Sequence, residues 1–230
     1  MPNNEVIDFN KLHMELDGMR SKYLAGNPFP HIVIDDFLSS NSANKTLKQF
    51  PAVSNQFWIH YVHYNERKLG LNKRELIPEY INEKVIGAFH SNTFLQFLSA
   101  LTGVNKLVAD DTLEGGGLHQ CLRGGHLNIH SDFNAHPHDK KLKRRINVLL
   151  FLNKNWVEEY KGSLEFWNSD MSKCGAKYLP VFNRLVIFET HATSYHGFPE
   201  RVMCPSTISR KSIALYFYTC LLYTSPSPRD

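Results

Sequence analysis

Cysteine is scarce in this chain of 230 residues: the four at positions 121, 174, 204 and 220 form no C-x-x-C pair. That excludes a disulfide-stapled scaffold and a cysteine-based zinc knuckle, and it suits a reducing compartment. No apolar run approaches the roughly 20 residues that a membrane-spanning helix needs. Residues 1–10 lack the apolar core of a secretory leader, so the expectation is a cytoplasmic protein. One-sided charge is missing too. Lys and Arg number 26 against 22 Asp and Glu, a net +4 that permits an acidic substrate but argues against nucleic acid as a partner. There is no internal repeat, and the Gly115–Gly117 run is followed by no helical pattern, so it reads as a turn and not a phosphate loop.

The 42% hydrophobic and 21% charged residues are ordinary for a globular chain, and the length suits one domain with a sizeable core. Phe9, Leu12, Leu16, Met19 and Tyr23 recur at steps of three and four, predicting an amphipathic helix. Gly26, Asn27, Pro28 and Pro30 break it. A strand is expected over 31–37, then a helix capped by Ser39 or Ser40 and reaching toward Phe50, and a third helix over 93–101 ending at Gly103. Beyond Gly103 the texture changes to short apolar runs, with strands expected at 106–109, 118–122, 127–132, 146–152, 163–166, 185–189 and 211–218. The expected class is therefore mainly β with N-terminal helices (α+β): a single domain over 1–219, helical to about 105 and β from about 106. The stretch 220–230 fits none of this logic. It reads as the translation of a sequencing-library adapter, a non-native tail set aside from the fold.

Twelve histidines are many for this length, and several lie between His119 and His138. In Asn128-Ile129-His130-Ser131-Asp132 two candidate ligands stand two residues apart, a spacing that puts both side chains on one face of a strand. A neutral imidazole and a carboxylate are two-thirds of the facial triad that holds non-haem iron(II). The third ligand should be a distant histidine on another strand. His196 is preferred because Gly197 beside it allows close backbone approach, and His191 competes. On the strand that follows, Arg210, Ser212 and Ala214 share one face, and Ile213, Leu215 and Phe217 the other. A buried arginine needs a partner, and a ligand carboxylate gripped by Arg210 and Ser212 would supply it.

The order His130-x-Asp132, His196, Arg210-x-Ser212 resembles the iron(II)- and 2-oxoglutarate-dependent oxygenase superfamily, in its prolyl 4-hydroxylase-like branch. The resemblance spans about residues 125–218. It includes Arg145-Ile146-Asn147-Val148-Leu149-Leu150-Phe151-Leu152-Asn153 with Trp156, the Gly162-Ser163-Leu164-Glu165-Phe166-Trp167 strand, and Pro180 with Asn183-Arg184-Leu185-Val186-Ile187-Phe188. Ser163 stands where the branch commonly has a second glycine. The resemblance implies a double-stranded β-helix, or jelly roll, with His130, Asp132 and His196 binding Fe(II). It implies Arg210 and Ser212, with Asn147, binding 2-oxoglutarate, and dioxygen as co-substrate, with ascorbate (vitamin C) as an accessory reductant. The implied reaction hydroxylates a substrate C–H bond, a peptidyl or free amino acid such as proline being favoured, with release of succinate and carbon dioxide. Asp132 fills the position that halogenating relatives leave free for chloride, which favours hydroxylation. No catalytic residue beyond the metal ligands is expected.

Other features have plainer readings. His136-Pro137-His138 suggests zinc, but a polar loop is the stronger expectation because no cysteine or third histidine lies at finger spacing. His119 and His126 are candidates for a pocket mouth or for hydrogen-bonded strand positions. The basic run Lys140, Lys141, Lys143, Arg144, Arg145 reads as a solvated connection. Trp156, Trp167 and Tyr195 suit a core at least as well as a groove. The segments 50–92 and 126–145 are expected to cover the pocket. Two readings from other classes stand beside the oxygenase: a cupin-like metalloenzyme that needs no keto acid, and a non-catalytic jelly-roll binding module.

Overall fold

A computed structural model describes residues 5–220. The first expected helix is two: α1 (Phe9–Met14), capped by the Asp8 carboxylate on the Lys11 amide, and α2 (Leu16–Leu24), with the break at Glu15. Leu12, Met19 and Tyr23 of the apolar stripe are buried across the break. Strand β1 (His31–Ile34) follows. Helix α3 (Ser40–Gln49) starts at Ser39, whose hydroxyl accepts from the Ser42 amide. The segment expected only to cover the pocket then supplies a hairpin, β2 (Ile59–His63) and β3 (Glu66–Leu71). A π-helical stretch, Tyr80–Ile86, runs into α4 (Gly87–Phe89). Helix α5 (Asn92–Thr102) is capped by Ser91 and stops at Gly103, whose φ of 79° a side chain would strain.

The remaining strands are β4 (Leu107–Ala109), β5 (Gly117–Cys121), β6 (His126–His130), β7 (Leu142–Phe151), β8 (Leu164–Trp167), β9 (Cys174–Tyr178), β10 (Arg184–Glu189), β11 (Tyr195–Phe198) and β12 (Arg210–Cys220). They form one antiparallel sheet in the order β1-β10-β7-β12-β5-β3-β6-β11-β8-β9, with β2 on β3 and β4 on β12. The sheet curls back on itself: Phe166 of β8 lies 5.0 Å from Phe188 of β10, in a cluster that includes Phe151 of β7. This is the expected double-stranded β-helix. Helices buttress its outer face, where Phe94, Leu98 and Leu101 of α5 share a core with Ile146, Val148, Ile213, Leu215 and Phe217.

Several expectations change. The N-terminal part is not helical alone, since β1, β2 and β3 join the sheet. β6 ends at His130, so Asp132 lies in the loop beyond it. β7 begins at Leu142, four residues earlier than expected, and takes most of the basic run into the sheet. β9 is not among the expected strands, and β11 is expected only as the strand that carries the distal histidine. Cys220, placed by the sequence in the non-native tail, closes β12 opposite Leu142, while 221–230 lie outside the described residues. Among the described residues no helix is long and apolar enough to cross a membrane.

Candidate active site

β6 and β11 run antiparallel with His130 directly opposite His196, so the sheet itself delivers two imidazoles side by side, ring centroids 4.6 Å apart. The strands come this close because position 197 is glycine: a Cβ there would fall 2.7 Å from the carbonyl oxygens of Leu127 and Asn128. Each ring is oriented through Nδ1, His130 on the Asn128 carbonyl at 2.9 Å and His196 on the Ser194 carbonyl at 3.0 Å. A carbonyl only accepts, so Nδ1 carries the proton and Nε2 presents a lone pair. Both Nε2 atoms face Asp132, at 3.7 Å to Oδ1 from His130 and 3.5 Å to Oδ2 from His196. Among the described residues these three form the group that could hold a metal ion, their donor atoms all within 4.8 Å of one another. Burial lowers His196 to about 4, an effect the Asp132 charge only partly offsets, so the ring is neutral at pH 7. Two neutral nitrogens and one carboxylate suit a divalent first-row metal. His191 is not part of this group. It sits exposed in the preceding turn, its Nδ1 engaged by Thr193.

Asp132 is held from behind. Asn147 donates its amide to Oδ2 at 2.7 Å, and Arg144 NH2 lies 3.1 Å from the same oxygen, close enough for an ion pair though not aligned as a hydrogen bond. Arg144 Nε donates to Asn147 Oδ1 at 2.8 Å, so the three side chains close a ring. Burial raises the carboxyl's pKa, but Arg144 foremost, then the two histidines and Asn147, overcome it and bring it to about 2. The sequence placed Asn147 among the cofactor-binding residues. Its amide borders the cavity, yet both halves of it are spent on Asp132 and Arg144. The sequence also read Arg144 as part of a solvated run, whereas it is 2% exposed. The cause is a β-bulge. Phe217 pairs with Ile146 and Tyr218 with Arg144, so Arg145 is the extra residue, and the alternation of faces shifts by one. Arg144 thereby joins Asn147 on the inner face, and Arg145 faces Glu189.

The triad opens on a cavity of about 450 Å³ inside the barrel. Arg210, Ser212, Ala214 and Tyr216 of β12 line it, while Ile213, Leu215 and Phe217 go to the helices, the division that the alternation of strand faces predicts. Arg210 is 4% exposed. Its Nε donates to the Gly162 carbonyl at 2.7 Å, and its guanidinium lies 4.1 Å from the ring centre of Phe198 and 4.9 Å from that of Phe151. No carboxylate among the described residues forms an ion pair with it, and burial lowers its pKa to about 10. His119, flanked across the sheet by Gly70 and Ser212, also faces the cavity, and burial beside Lys68 and Arg210 keeps it neutral. From β2 and β3 come Tyr61, His63, Glu66 and Lys68, with the Lys68 ammonium 2.8 Å from the Glu66 carboxylate.

The other sequence candidates lie apart. His136 is buried against Asp110, and its Nδ1 accepts the amides of His138 and Asp139, which leaves that nitrogen no lone pair for zinc. His126 packs under the Tyr64 carbonyl. Trp156 donates to the Lys161 carbonyl and Trp167 to Glu165, and neither borders the cavity. Among the residues of the site the sequence missed Arg144, hidden by the bulge, and Glu66 with Lys68. The one signal for the latter pair is the charged run Glu66-Arg67-Lys68, which resembles any solvated segment.

Residues 116–218 match the family model described as the 2OG-Fe(II) oxygenase superfamily, a span containing His130, Asp132, His196, Arg144 and Arg210. No curated protein sequence matches the chain significantly. Solved structures do. A prolyl hydroxylase from Trichoplax adhaerens, in complex with a hypoxia inducible factor oxygen degradation domain peptide fragment, is 18% identical, with a TM-score of 0.63 over 95% of this chain and 98% of that one. A prolyl-4-hydroxylase from Pseudomonas putida is 15% identical, with a TM-score of 0.56 over 87% and 98%. HygX from Streptomyces hygroscopicus, with nickel and 2-oxoglutarate bound, is 10% identical, with a TM-score of 0.59 over 87% of each chain. At these identities the structural likenesses speak for the fold. Residues 116–218 thus carry a 2OG-Fe(II) oxygenase superfamily domain, and the fold is the double-stranded β-helix shared with the prolyl hydroxylases.

Proposed function

We propose that this single domain, residues 1–219, hydroxylates an amino-acid side chain, with proline in a polypeptide the favoured substrate, and releases succinate and carbon dioxide. His130, Asp132 and His196 would hold Fe(II) through two Nε2 atoms and a carboxylate oxygen. Arg210, helped by the Ser212 hydroxyl, would hold the distal carboxylate of 2-oxoglutarate. The observation that carries the reading is Arg210 itself, a buried cation without a carboxylate partner among the described residues, facing the cavity that the triad closes. Leaving such a charge unmatched is costly, so the site is built for an anion.

When bound, iron and 2-oxoglutarate supply the oxidising chemistry. The chain supplies orientation. Nδ1 hydrogen bonds fix the two imidazoles, Asn147 and Arg144 fix Asp132, and the Phe151–Phe198 pair holds the Arg210 fork in one plane. Leu149, Phe151, Leu164 and Phe198 make an apolar wall that keeps water from the deep end. Substrate would enter past the β2–β3 hairpin. The exposed Val62 and Tyr64 there, 69% and 88% accessible, favour a polypeptide over a small polar molecule. The structural likeness to prolyl hydroxylases supports proline as the first target to test.

The test is calorimetric and chemical. Protein loaded with Fe(II), with ascorbate as reductant, is expected to bind 2-oxoglutarate and to release succinate faster when proline-containing peptides are present. Absence of both binding and succinate would overturn the reading, whereas binding with no response to proline peptides would remove only the substrate.

A further inference from the structure

The bulge in β7 brings Arg144 to the back of the triad, where the family-level reading assigns it no task. Asp132 has two oxygens of equal chemistry. A carboxylate left to itself can chelate a metal through both, taking a coordination position that a bidentate co-substrate and dioxygen would otherwise share. In this chain the two oxygens are made unequal. Oδ2 accepts the Asn147 amide at 2.7 Å and is paired with the Arg144 NH2 charge at 3.1 Å, while Oδ1 accepts no hydrogen bond among the described residues.

We propose that Arg144 is a positioning residue for the metal centre: braced by Asn147, it occupies Asp132 Oδ2 so that the carboxylate binds metal through Oδ1 alone. This rests on the reading of His130, Asp132 and His196 as metal ligands. Three features make Arg144 a rigid holder. Its guanidinium carbon lies 3.4 Å from the Tyr216 ring centre and 5.0 Å from that of Phe133, so two aromatic rings hold it. Tyr216 is itself anchored by its hydroxyl on the Gly115 carbonyl at 2.9 Å. The fork is also divided, with Nε spent on Asn147 Oδ1 at 2.8 Å and NH2 turned to Asp132. A lysine offers a point charge with no second arm and no plane to stack, so it restores charge without geometry.

Carboxylate partners behind metal ligands typically change metal affinity 10–100-fold when removed. Cobalt(II) is the probe, because its visible absorption reports coordination number and needs no turnover. Arg144→Gln is expected to lower Co(II) affinity about 10–100-fold in calorimetric titrations and to change the intensity of the Co(II) absorption. Arg144→Lys should recover much of the affinity while keeping the altered spectrum. 2-Oxoglutarate should bind the Co(II)-loaded Arg144→Gln protein more weakly than the loaded wild type. Should Arg144→Gln fail to fold, Asn147→Ala decides: it keeps the charge, removes the brace, and should alter the same spectrum. A folded variant with Co(II) affinity within about threefold of wild type and an unchanged spectrum overturns the proposal while leaving the metal site standing. A wild type that does not bind Co(II) overturns both.

Discussion

Replacing Arg210 with methionine should make the protein more stable and, at the same time, unable to hold its co-substrate. Burial lowers this guanidinium from its ordinary value to about 10, which means that the charged form is penalised by roughly 3 kcal/mol inside the barrel. Methionine removes that penalty. It also removes the hydrogen bond from Nε to the Gly162 carbonyl, a loss of about 1 kcal/mol. The guanidinium contacts with Phe198 and Phe151 are worth about 1 kcal/mol, partly replaced by sulfur against the same rings. The net is a gain of about 1 kcal/mol in the protein free of metal and co-substrate, a rise of about 2–4 °C in thermal midpoint for a chain of this size. Binding moves the other way. Truncating one partner of a buried, hydrogen-bonded charge pair costs about 2–5 kcal/mol, so 2-oxoglutarate should bind at least about 30-fold more weakly to the metal-loaded variant. Scanning calorimetry of the metal-free proteins and titration of 2-oxoglutarate into the metal-loaded ones read the two effects separately. A lowered midpoint with 2-oxoglutarate affinity within about threefold of wild type would show that Arg210 is a structural cation, and the reasoning would fail.

Two further outcomes follow from the same geometry. His196 is neutral in the folded protein down to about 4 but protonates near 6.5 when unfolded, so the unfolded state binds the extra proton between these values. In the metal-free protein this contribution is whole above pH 6.5 and is lost as pH falls toward 4, about 3 kcal/mol in all. Urea midpoints at pH 7.5 and 4.5 should therefore differ less for His196→Gln than for wild type, and equal differences would contradict the assignment. Gly197→Ala should force β6 and β11 apart, since the new Cβ would meet two carbonyl oxygens at 2.7 Å. A destabilisation of about 1–3 kcal/mol with weakened Co(II) binding is expected, and a variant with the wild-type melting temperature and metal affinity would refute the close approach.

Much of the site could be read from the chain because it depends on short-range rules. His130 and Asp132 converge on a two-residue spacing, and they still do so with Asp132 in the loop past β6, His130 Nε2 lying 3.7 Å from Asp132 Oδ1. Arg210, Ser212 and Ala214 separate from Ile213, Leu215 and Phe217 by the same alternation, which β12 keeps over that stretch. The caps at Ser39 and Ser91 and the left-handed Gly103 follow from side-chain chemistry within a few residues. Sequence alone thus determined the class, the convergence of His130 with Asp132, and the inward face that carries Arg210.

Tertiary structure decided what depended on which strands meet. The choice between His191 and His196 was settled by the pairing of β11 with β6, since both residues follow β10 and only one stands opposite His130. The hairpin bringing Glu66 and Lys68 to the cavity wall has a mixed pattern that becomes meaningful once β3 pairs with β5 and β6. Arg144 and Arg145 are neighbours of equal charge and equal propensity. A single bulge opposite Phe217 and Tyr218 puts one behind the metal ligand and the other against Glu189. An alternation of period two carries no information about where it will skip, because a bulge is imposed by the partner strand.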